Sequence, residues 1–300
     1  MTNEDIKKAL EIALFWDQPL QVHITGGEPF LNFPLLDHAV RTASDLGIHC
    51  YCETNAGWCV RSELVEKRFR TLQEAGLQAI FISCSPFHAE TIPPKQTLLA
   101  IAVALDVFGP QSVIVYLAEW LDQIARFGID RPTPLERYVE SFGARPAGVM
   151  FWEGYGLIAG GRSGYRLGHL TDKKNAAGFR SENCLAEILF AQHSHFDLYG
   201  NYISGFCGGL SVGDWTELPR LIDRYQRGDY PPLIEILVHE GPYGLYVLAH
   251  RDFGYKPLAH GYAGKCHLCV DVRKHLSGCK QFVELKPAGF YKEYVEGHSG

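Results

Sequence analysis

Leu20-Gln-Val-His-Ile-Thr-Gly-Gly-Glu-Pro-Phe30 is the stretch on which the reading of this chain turns. Leu20 to Thr25 has the composition of a short strand, and it stops at Gly26-Gly27. Two glycines let the backbone pass close to a ligand, and the Glu28 carboxylate can accept a hydrogen bond from an ammonium group. On the N-terminal side, Ile6, Leu10, Ala13 and Leu14 recur on one helical face behind a Thr2/Asn3 cap with acids in the first turn. On the C-terminal side a helix opens at Pro34, turns Leu35, Leu36, Ala39, Val40, Ala43 and Leu46 inward, and ends at Gly47.

The alternation continues outward. Ile48 to Glu53 reads as a strand, and Ser62 caps a helix with Leu64, Val65, Phe69, Leu72 and Ala75 on one side, closed by Gly76. Ala79 to Ser83 is another strand, Lys95 to Phe108 a helix with Gly109 behind it, and Ser112 to Leu117 a further strand. These strands read as too apolar for a sheet wetted on one face. Right-handed crossovers then predict an α/β fold with a parallel sheet, either open or curling into a barrel. Ligands in such folds sit beyond the carboxyl ends of the strands.

Composition narrows the class. The chain has 300 residues, 46% of them apolar and 21% charged, which excludes disorder, collagen-like sequence and small disulfide-stapled folds. With 28 basic and 34 acidic residues the net charge is −6, which argues against a grip on nucleic acid by counterion release. The longest apolar run, Leu98 to Phe108, is interrupted by Asp106 and too short to span a bilayer. The start MTNEDIKK lacks the apolar core of a signal peptide, so the expected location is cytoplasmic. Nine cysteines in that setting read as reduced thiols, and grouped thiols point to metal.

After Trp120 the rhythm breaks. Leu121 to Phe142 reads as helical with a Pro132/Pro134 interruption, and Phe151 to Tyr165 as a strand followed by a loop. From Thr171 onward the chain reads as loop-rich with short strands such as Tyr243 to Ala249. A soft boundary near residue 170 gives two domains, 1–170 and 171–300.

Three strand ends carry unusual residues: Thr25-Gly26-Gly27-Glu28-Pro29-Phe30, Glu53-Thr54-Asn55-Ala56-Gly57, and Ser83-Cys84-Ser85-Pro86-Phe87-His88. Taken singly, each reads as a turn. Together, in this order, they resemble the radical S-adenosylmethionine (SAM) family. Gly26, Gly27, Glu28 and Pro29 match its GGEP motif, and Thr54-Asn55-Ala56-Gly57 is similar to its Thr-Asn-Gly turn. Ser83 falls where that family places a polar residue near the cofactor's ribose and carboxylate. Leu157 to Ser163 is similar to the Gly-Arg-Ala segment near the end of its barrel. The resemblance implies a partial (β/α)6-type barrel lacking its first strand over 1–170. It also implies SAM held at Gly26, Gly27, Glu28, Pro29, Thr54, Asn55 and Ser83. In that family a [4Fe–4S] cluster and SAM together generate a 5′-deoxyadenosyl radical that abstracts a substrate hydrogen, chemistry carried by the cofactors.

One departure stands out. The family's Cys-x-x-x-Cys-x-x-Cys loop precedes GGEP, and here no cysteine precedes Gly26. Cys50, Cys52 and Cys59 have a different spacing and belong to the next strand and its loop. The readings are a truncated chain, a degenerate family member, or a half-barrel completed by another polypeptide. Truncation is preferred, because otherwise the strand bearing Val22 and Ile24 is an open edge. SAM and its own [4Fe–4S] cluster are thus expected only in a longer form, and no catalytic residue is assigned.

The second half carries Cys184, Cys207, Cys266 and Cys269, the last two in a Cys-His-Leu-Cys turn. A metal with soft ligands takes thiolates from several loops, and Cys-x-x-Cys supplies two from one. Asp197 to Gly209, with Gly200 and Cys207, resembles the SPASM/Twitch auxiliary-cluster domains of the same family. That resemblance implies one auxiliary [4Fe–4S] cluster on Cys184, Cys207, Cys266 and Cys269, with Cys59 and Cys279 left open. It also implies a peptide or small-molecule substrate and an electron donor such as flavodoxin or ferredoxin; from charge and hydropathy no membrane or nucleic-acid partner is expected. Read alone, the Cys-x-x-Cys would be a zinc site, and a non-catalytic cluster-binding or scaffold protein is a further alternative. Cys50, Cys52 and Cys84 read as buried apolar residues. At most one of His193 and His195 is expected to face the metal, His267 to be exposed, and His88 either to face substrate or to cap a helix.

Overall fold

A capping box opens the first helix: Thr2 Oγ1 accepts from the Asp5 N–H at 3.2 Å, and Asp5 Oδ2 accepts from the Thr2 N–H at 2.6 Å. Helix α1 (Asn3–Ala13) buries Ile6, Leu10 and Ala13, while Leu14, read on that face, sits at the C-cap and is exposed. The computed structural model describes residues 1–15 and 21–293 and divides into two compact units, Met1–Phe142 and Gly143–Gly300. Leu20 lies outside the described residues.

The first unit alternates strand and helix: β1 (Gln21–Ile24), α2 (Phe33–Asp45), β2 (His49–Thr54), α3 (Ser62–Glu74), β3 (Ala79–Ser83), α4 (Pro86–Ala89), α5 (Pro94–Phe108) and β4 (Val113–Tyr116). Helices α6 (Leu121–Phe127) and α7 (Glu136–Phe142) complete it. Ser62 is the first helical residue rather than the cap; Arg61 holds the cap position without a side-chain hydrogen bond.

All four strands pair in parallel in the order β1-β2-β3-β4, with Val22 beside Cys50, Cys52 beside Ile80, and Ile80 beside Val113. The order never reverses, so right-handed crossovers place the helices on one face. That face carries Val22, Ile24, Cys50, Cys52, Ile80, Ile82 and Val113. They pack with Val40, Val65, Phe69, Leu72 and Ala104 of the helices in one apolar cluster. The opposite face carries His23, Tyr51, Glu53, Phe81, Ile114 and Tyr116, by the strict alternation of strand side chains. This corrects the expectation of a sheet covered on both sides. Ile114 and Tyr116 are exposed, and His23, Tyr51 and Phe81 are half-buried.

In the second unit, α8 (Ala144–Val149) runs into a π-helical turn at Met150–Gly154, followed by α9 (Arg162–Arg166) and α10 (Leu185–Leu189). Strands β5 (Ser194–Phe196), β6 (Asn201–Ser204) and β7 (Gly213–Asp214) form an antiparallel sheet. Helices α11 (Leu218–Gln226), α12 (Pro232–His239), α13 (Gly241–Asp252), α14 (Lys265–Ser277) and α15 (Ala288–Glu293) follow. The strand read at Tyr243 to Ala249 is helix α13, opened by Pro242 in its first turn and packed on α12 and α14. Phe151 to Tyr165 contains no strand, only the π turn, a loop and α9.

The division falls at 142/143 rather than near 170. Tyr165 Oη donates to Asp271 Oδ1 of α14 at 2.8 Å, which ties the stretch before 170 to the second core. The Leu157–Ser163 segment is part of this unit as well, with Gly160 against Cys266 Cβ. Its core gathers Leu210, Leu233, Leu237, Leu245, Leu268 and Val272. No helix among the described residues is long and apolar enough to cross a membrane.

Candidate cofactor rim and cysteine centre

At the carboxyl end of β1 the chain turns through Gly26 (φ +94°) and Gly27 (φ +62°), left-handed conformations that favour glycine. The turn aims Glu28 at the next strand end. Glu28 Oε1 accepts from Thr54 Oγ1 at 2.9 Å and from the Phe30 N–H at 3.2 Å; Oε2 accepts from the Asn55 N–H at 2.7 Å. Burial raises the Glu28 carboxyl, opposed by these donors. Thr54 Oγ1 also accepts from the Ala56 N–H at 3.1 Å and from Trp58 Nε1 at 2.9 Å, so its one proton and two lone pairs are all engaged. Asn55 Oδ1 accepts from the Gly57 N–H at 2.8 Å. Glu28, Thr54 and Asn55 therefore build the rim, and Thr25, Gly26 and Gly27 are the exposed groups on it.

Ser83, buried to 2%, donates to Glu53 Oε1. Glu53 Oε2 lies 3.2 Å from His23 Nε2 and accepts from Thr25 Oγ1 at 3.3 Å. Burial alone would raise the Glu53 carboxyl; His23, Ser83 and Thr25 outweigh it and hold the group below its usual range. His88 pairs through Nδ1 with Ser85 Oγ at 2.7 Å in the first turn of α4, and burial lowers its pKa against the pull of Glu53. His23 and Glu53 were not chosen from the sequence. The signal was their period of two, which puts both on the face without helices.

In the second unit four cysteines arrive from three separate segments. Cys184 precedes α10 and its N–H donates to the Leu237 carbonyl at 2.9 Å. Cys207 follows the β5–β6 hairpin, whose turn uses Gly200 (φ +88°), and its N–H donates to the Ser204 carbonyl at 3.1 Å. Cys266 and Cys269 lie in the first turns of α14. The charges of Cys184, Cys207 and Cys266 each interact with that of Cys269. Burial raises all three thiols, Cys207 to about 11 and Cys266 to about 12, with Cys269 adding to the shift. Among the described residues no three His, Cys, Asp or Glu side chains are arranged to hold a metal ion. The sulfurs are electrostatic neighbours rather than a closed cage.

Arg273 completes this group and was missed in the sequence. It is 2% exposed, and its Nη1 donates to the Gly208 carbonyl at 2.9 Å and to Tyr291 Oη at 3.0 Å. Cys269 and Cys207 are among its charged neighbours, and its Nε has no hydrogen-bond partner. Tyr291 Oη in turn donates to the Gly209 carbonyl at 2.6 Å, so this pair holds the loop that follows Cys207. Lys265 is the second cation near Cys184 and Cys266, and it is already paired with Glu187.

The remaining candidates fall elsewhere. His267 is 2% exposed, which corrects the expectation of an exposed ring; Nδ1 accepts from the Ala263 N–H at 3.2 Å, and burial lowers its pKa to about 4. Cys279 lies beyond the far end of α14, about 15 Å along the axis from Cys269 at helical rise. His193 meets Phe206 and His195 edge-on. Cys50, Cys52, Cys59 and Cys84 are buried, and burial raises each thiol, Cys50 to about 11 and Cys84 to about 12. The chain matches no known family model and no curated protein sequence.

Proposed function

We propose that this chain is an iron–sulfur protein of the radical SAM type, with a partial barrel offering a SAM-binding rim and a second unit holding one auxiliary [4Fe–4S] cluster. What supports the reading is that Cys184, Cys207, Cys266 and Cys269, drawn from three segments of one unit, are electrostatic neighbours of one another and of the buried cation of Arg273. Four thiols of that kind suit a soft, thiophilic group, and a tetrathiolate centre of net negative charge suits an uncompensated guanidinium. When bound, the cluster supplies one-electron chemistry.

The first unit supports the barrel half of the reading through its unreversed strand order and one-sided helices. Doubly wound sheets reverse and cover both faces; barrels do not. On this reading the exposed Gly26-Gly27 turn offers backbone carbonyls to an ammonium group, and Glu28 and Thr54 hold that turn in place. The chain supplies no Cys-x-x-x-Cys-x-x-Cys ahead of Gly26. Cleavage of SAM to start modification of a peptide or small molecule therefore calls for thiolates from outside these residues, together with an electron donor such as flavodoxin or ferredoxin.

Anaerobic reconstitution with iron and sulfide tests the reading. The expected product is brown, with iron and acid-labile sulfide in equal amounts, and Cys269→Ala loses most of both. A colourless protein carrying zinc without sulfide would establish instead the second reading, a zinc-stabilised α/β protein resting on the Cys266–Cys269 turn. SAM binding by equilibrium dialysis, weakened in Gly27→Val, tests the rim separately.

A further inference from the structure

In the second unit a cleft of about 220 Å³ opens between three segments distant in sequence. Helix α13 contributes Tyr243 and Tyr246, three residues apart and so on one helical face. The chain beyond α13 contributes Leu258 and Tyr262, and the turn at Asn175 supplies the third side. Backbone hydrogen bonds fix these segments to one another. They run both ways between Lys174 and Tyr262, at 3.0 and 2.8 Å. Gly261 comes so close to this pairing that a Cβ would stand 2.5 Å from the Lys174 carbonyl oxygen. Tyr262 Oη accepts from the Leu258 N–H at 3.0 Å and lies 2.6 Å from Tyr255 Oη. Because Tyr255 gives its own proton to Asp271, Tyr262 is the donor in that pair. The ring of Tyr246 is held by His250, stacked on it at 5.5 Å.

The polar groups left over at this cleft are donors. Tyr246 Oη has no hydrogen-bond partner among the described residues. Asn175 spends its amide oxygen on the Gly178 N–H at 3.1 Å, which leaves its NH₂ group without a partner among them. Arg180 donates through Nη2 to Tyr243 Oη at 2.8 Å, with its guanidinium carbon 4.9 Å from the centre of that ring. Among the described residues no carboxylate pairs with it. None of the residues lining the cleft is acidic. Donors without acceptors, a cation bonded to one wall and aromatic sides call for an anion with a flat apolar body. Size narrows the class further. An apolar cavity of about 150 Å³ holds benzene, and drug-sized ligands need at least about 300 Å³, so this cleft suits a single ring with a short acidic group.

We infer that this cleft binds a small aromatic carboxylate, its ring against Tyr243, Tyr246 and Leu258 and its charge met by Arg180 and the Tyr246 hydroxyl. The inference goes beyond the cluster reading and does not depend on it. No cysteine and no metal takes part, so each can fail while the other stands. The test uses the full chain without added metal, at low ionic strength, with benzoate as the probe. Isothermal titration should give a Kd of about 1 mM or below. Benzamide, a neutral molecule of the same shape, should bind at least about ten-fold more weakly, because it forfeits the charge-assisted bonds. Arg180→Gln, at an exposed position, should weaken benzoate at least about three-fold and leave benzamide unchanged. Tyr246→Phe keeps the ring and should weaken benzoate by a similar factor, about three-fold. Ala177→Trp, at an exposed position lining the cleft, should fill it and abolish binding of both probes.

Absence of benzoate binding at about 10 mM, well above that Kd, would overturn the inference. Equal affinity for benzoate and benzamide would reduce the cleft to an apolar hollow and overturn it too. Undiminished benzoate binding in Arg180→Gln would remove the cation from the site, with the same consequence. Binding that survives Ala177→Trp would place the ligand elsewhere on the chain. The comparison of benzoate with benzamide uses the wild-type chain alone, so it decides the matter even where a variant fails to fold.

Discussion

Glu28 Oε2 accepts the backbone N–H of Asn55 at 2.7 Å, so the turn that ends β1 holds the turn that ends β2. The same carboxylate takes Thr54 Oγ1 and the Phe30 N–H on its other oxygen. Glu28→Ala should therefore cost about 2–3 kcal/mol, since charge-assisted bonds are lost and half-buried donors are left open. Glu28→Gln should cost less, because its amide oxygen can still accept from one of them. Urea denaturation of both variants checks the order, and an Ala variant within 0.5 kcal/mol of wild type (about the scatter of surface changes) would refute the tie.

Behind this rim stands an aromatic stack. Phe30 lies 4.3 Å from Trp58 ring to ring, and Phe69 meets Phe30, Trp58 and Phe108 edge-on at 5.7–5.8 Å. Phe69 is fully buried, so Phe69→Ala should lose about 3–5 kcal/mol. Trp58 also donates to Thr54, so the same substitution should shift the Trp58 indole resonance in an NMR spectrum. An unmoved indole would show that the stack and the rim are independent.

The first unit was largely legible because its signals are local. The Thr2–Asp5 box, the Gly-terminated helices and the apolar strands each follow from a few adjacent residues, and their order predicts the parallel sheet. The second unit was not. Tyr243, Leu245, Val247 and their neighbours favour strand by composition, yet Pro242 starts a helix there and packing on α12 and α14 keeps it. Helix α14 is buried from His267 through Arg273, so no polar stripe marks its face, and His267 reads as a surface residue. At the sites, Gly26 to Glu28 and the cysteines were visible as motifs. Glu53, His23 and Arg273 acquire meaning only from neighbours distant in sequence.

Acid should destabilise the fold partly through His88. Burial holds its folded pKa below the ordinary 6.5, so the unfolded chain binds the proton first as pH falls. Stability from the neutral imidazole is then complete above pH 6.5 and declines below it, toward the folded pKa. Glu53, also lowered, acts in the same direction at more acid pH, its contribution present above the ordinary 4.5 and lost as pH falls through the folded value. His88→Asn should flatten the slope of stability between pH 7 and 5 without removing the steeper loss below it. An identical slope in variant and wild type would exclude His88 as the titrating group.

Backbone crowding gives an independent check on the second unit. Gly241 has φ +65°, and a Cβ there would stand 2.0 Å from the Glu182 carbonyl oxygen. Both strain and overlap oppose any side chain, so Gly241→Ala should cost at least about 3 kcal/mol. Gly228, with φ +74° and open space around it, should cost only about 1 kcal/mol on the same change. Thermal melts of the two variants separate close approach from φ alone; equal losses would mean that the Gly241 contact relaxes freely.

Thiol labelling distinguishes the three groups of cysteines in a single experiment. Cys50, Cys52, Cys59 and Cys84 are at most 1% exposed, and a thiol raised from 9.0 to about 11, as at Cys50, is ionised about 100-fold less at pH 8. These four should resist iodoacetamide with or without metal. Cys207 and Cys266 retain some exposure and should label slowly in the metal-free chain. Loading with zinc or with iron and sulfide should protect them, because the bond to the metal draws electron density from the sulfur and lowers its nucleophilicity. Cys279, beyond the far end of α14, should keep reacting after loading, which sets the reference rate within the same sample. Mass spectrometry of the digested protein reads each site. Protection that spreads to Cys279, or that leaves Cys207 and Cys266 unchanged, would place the metal elsewhere in the chain.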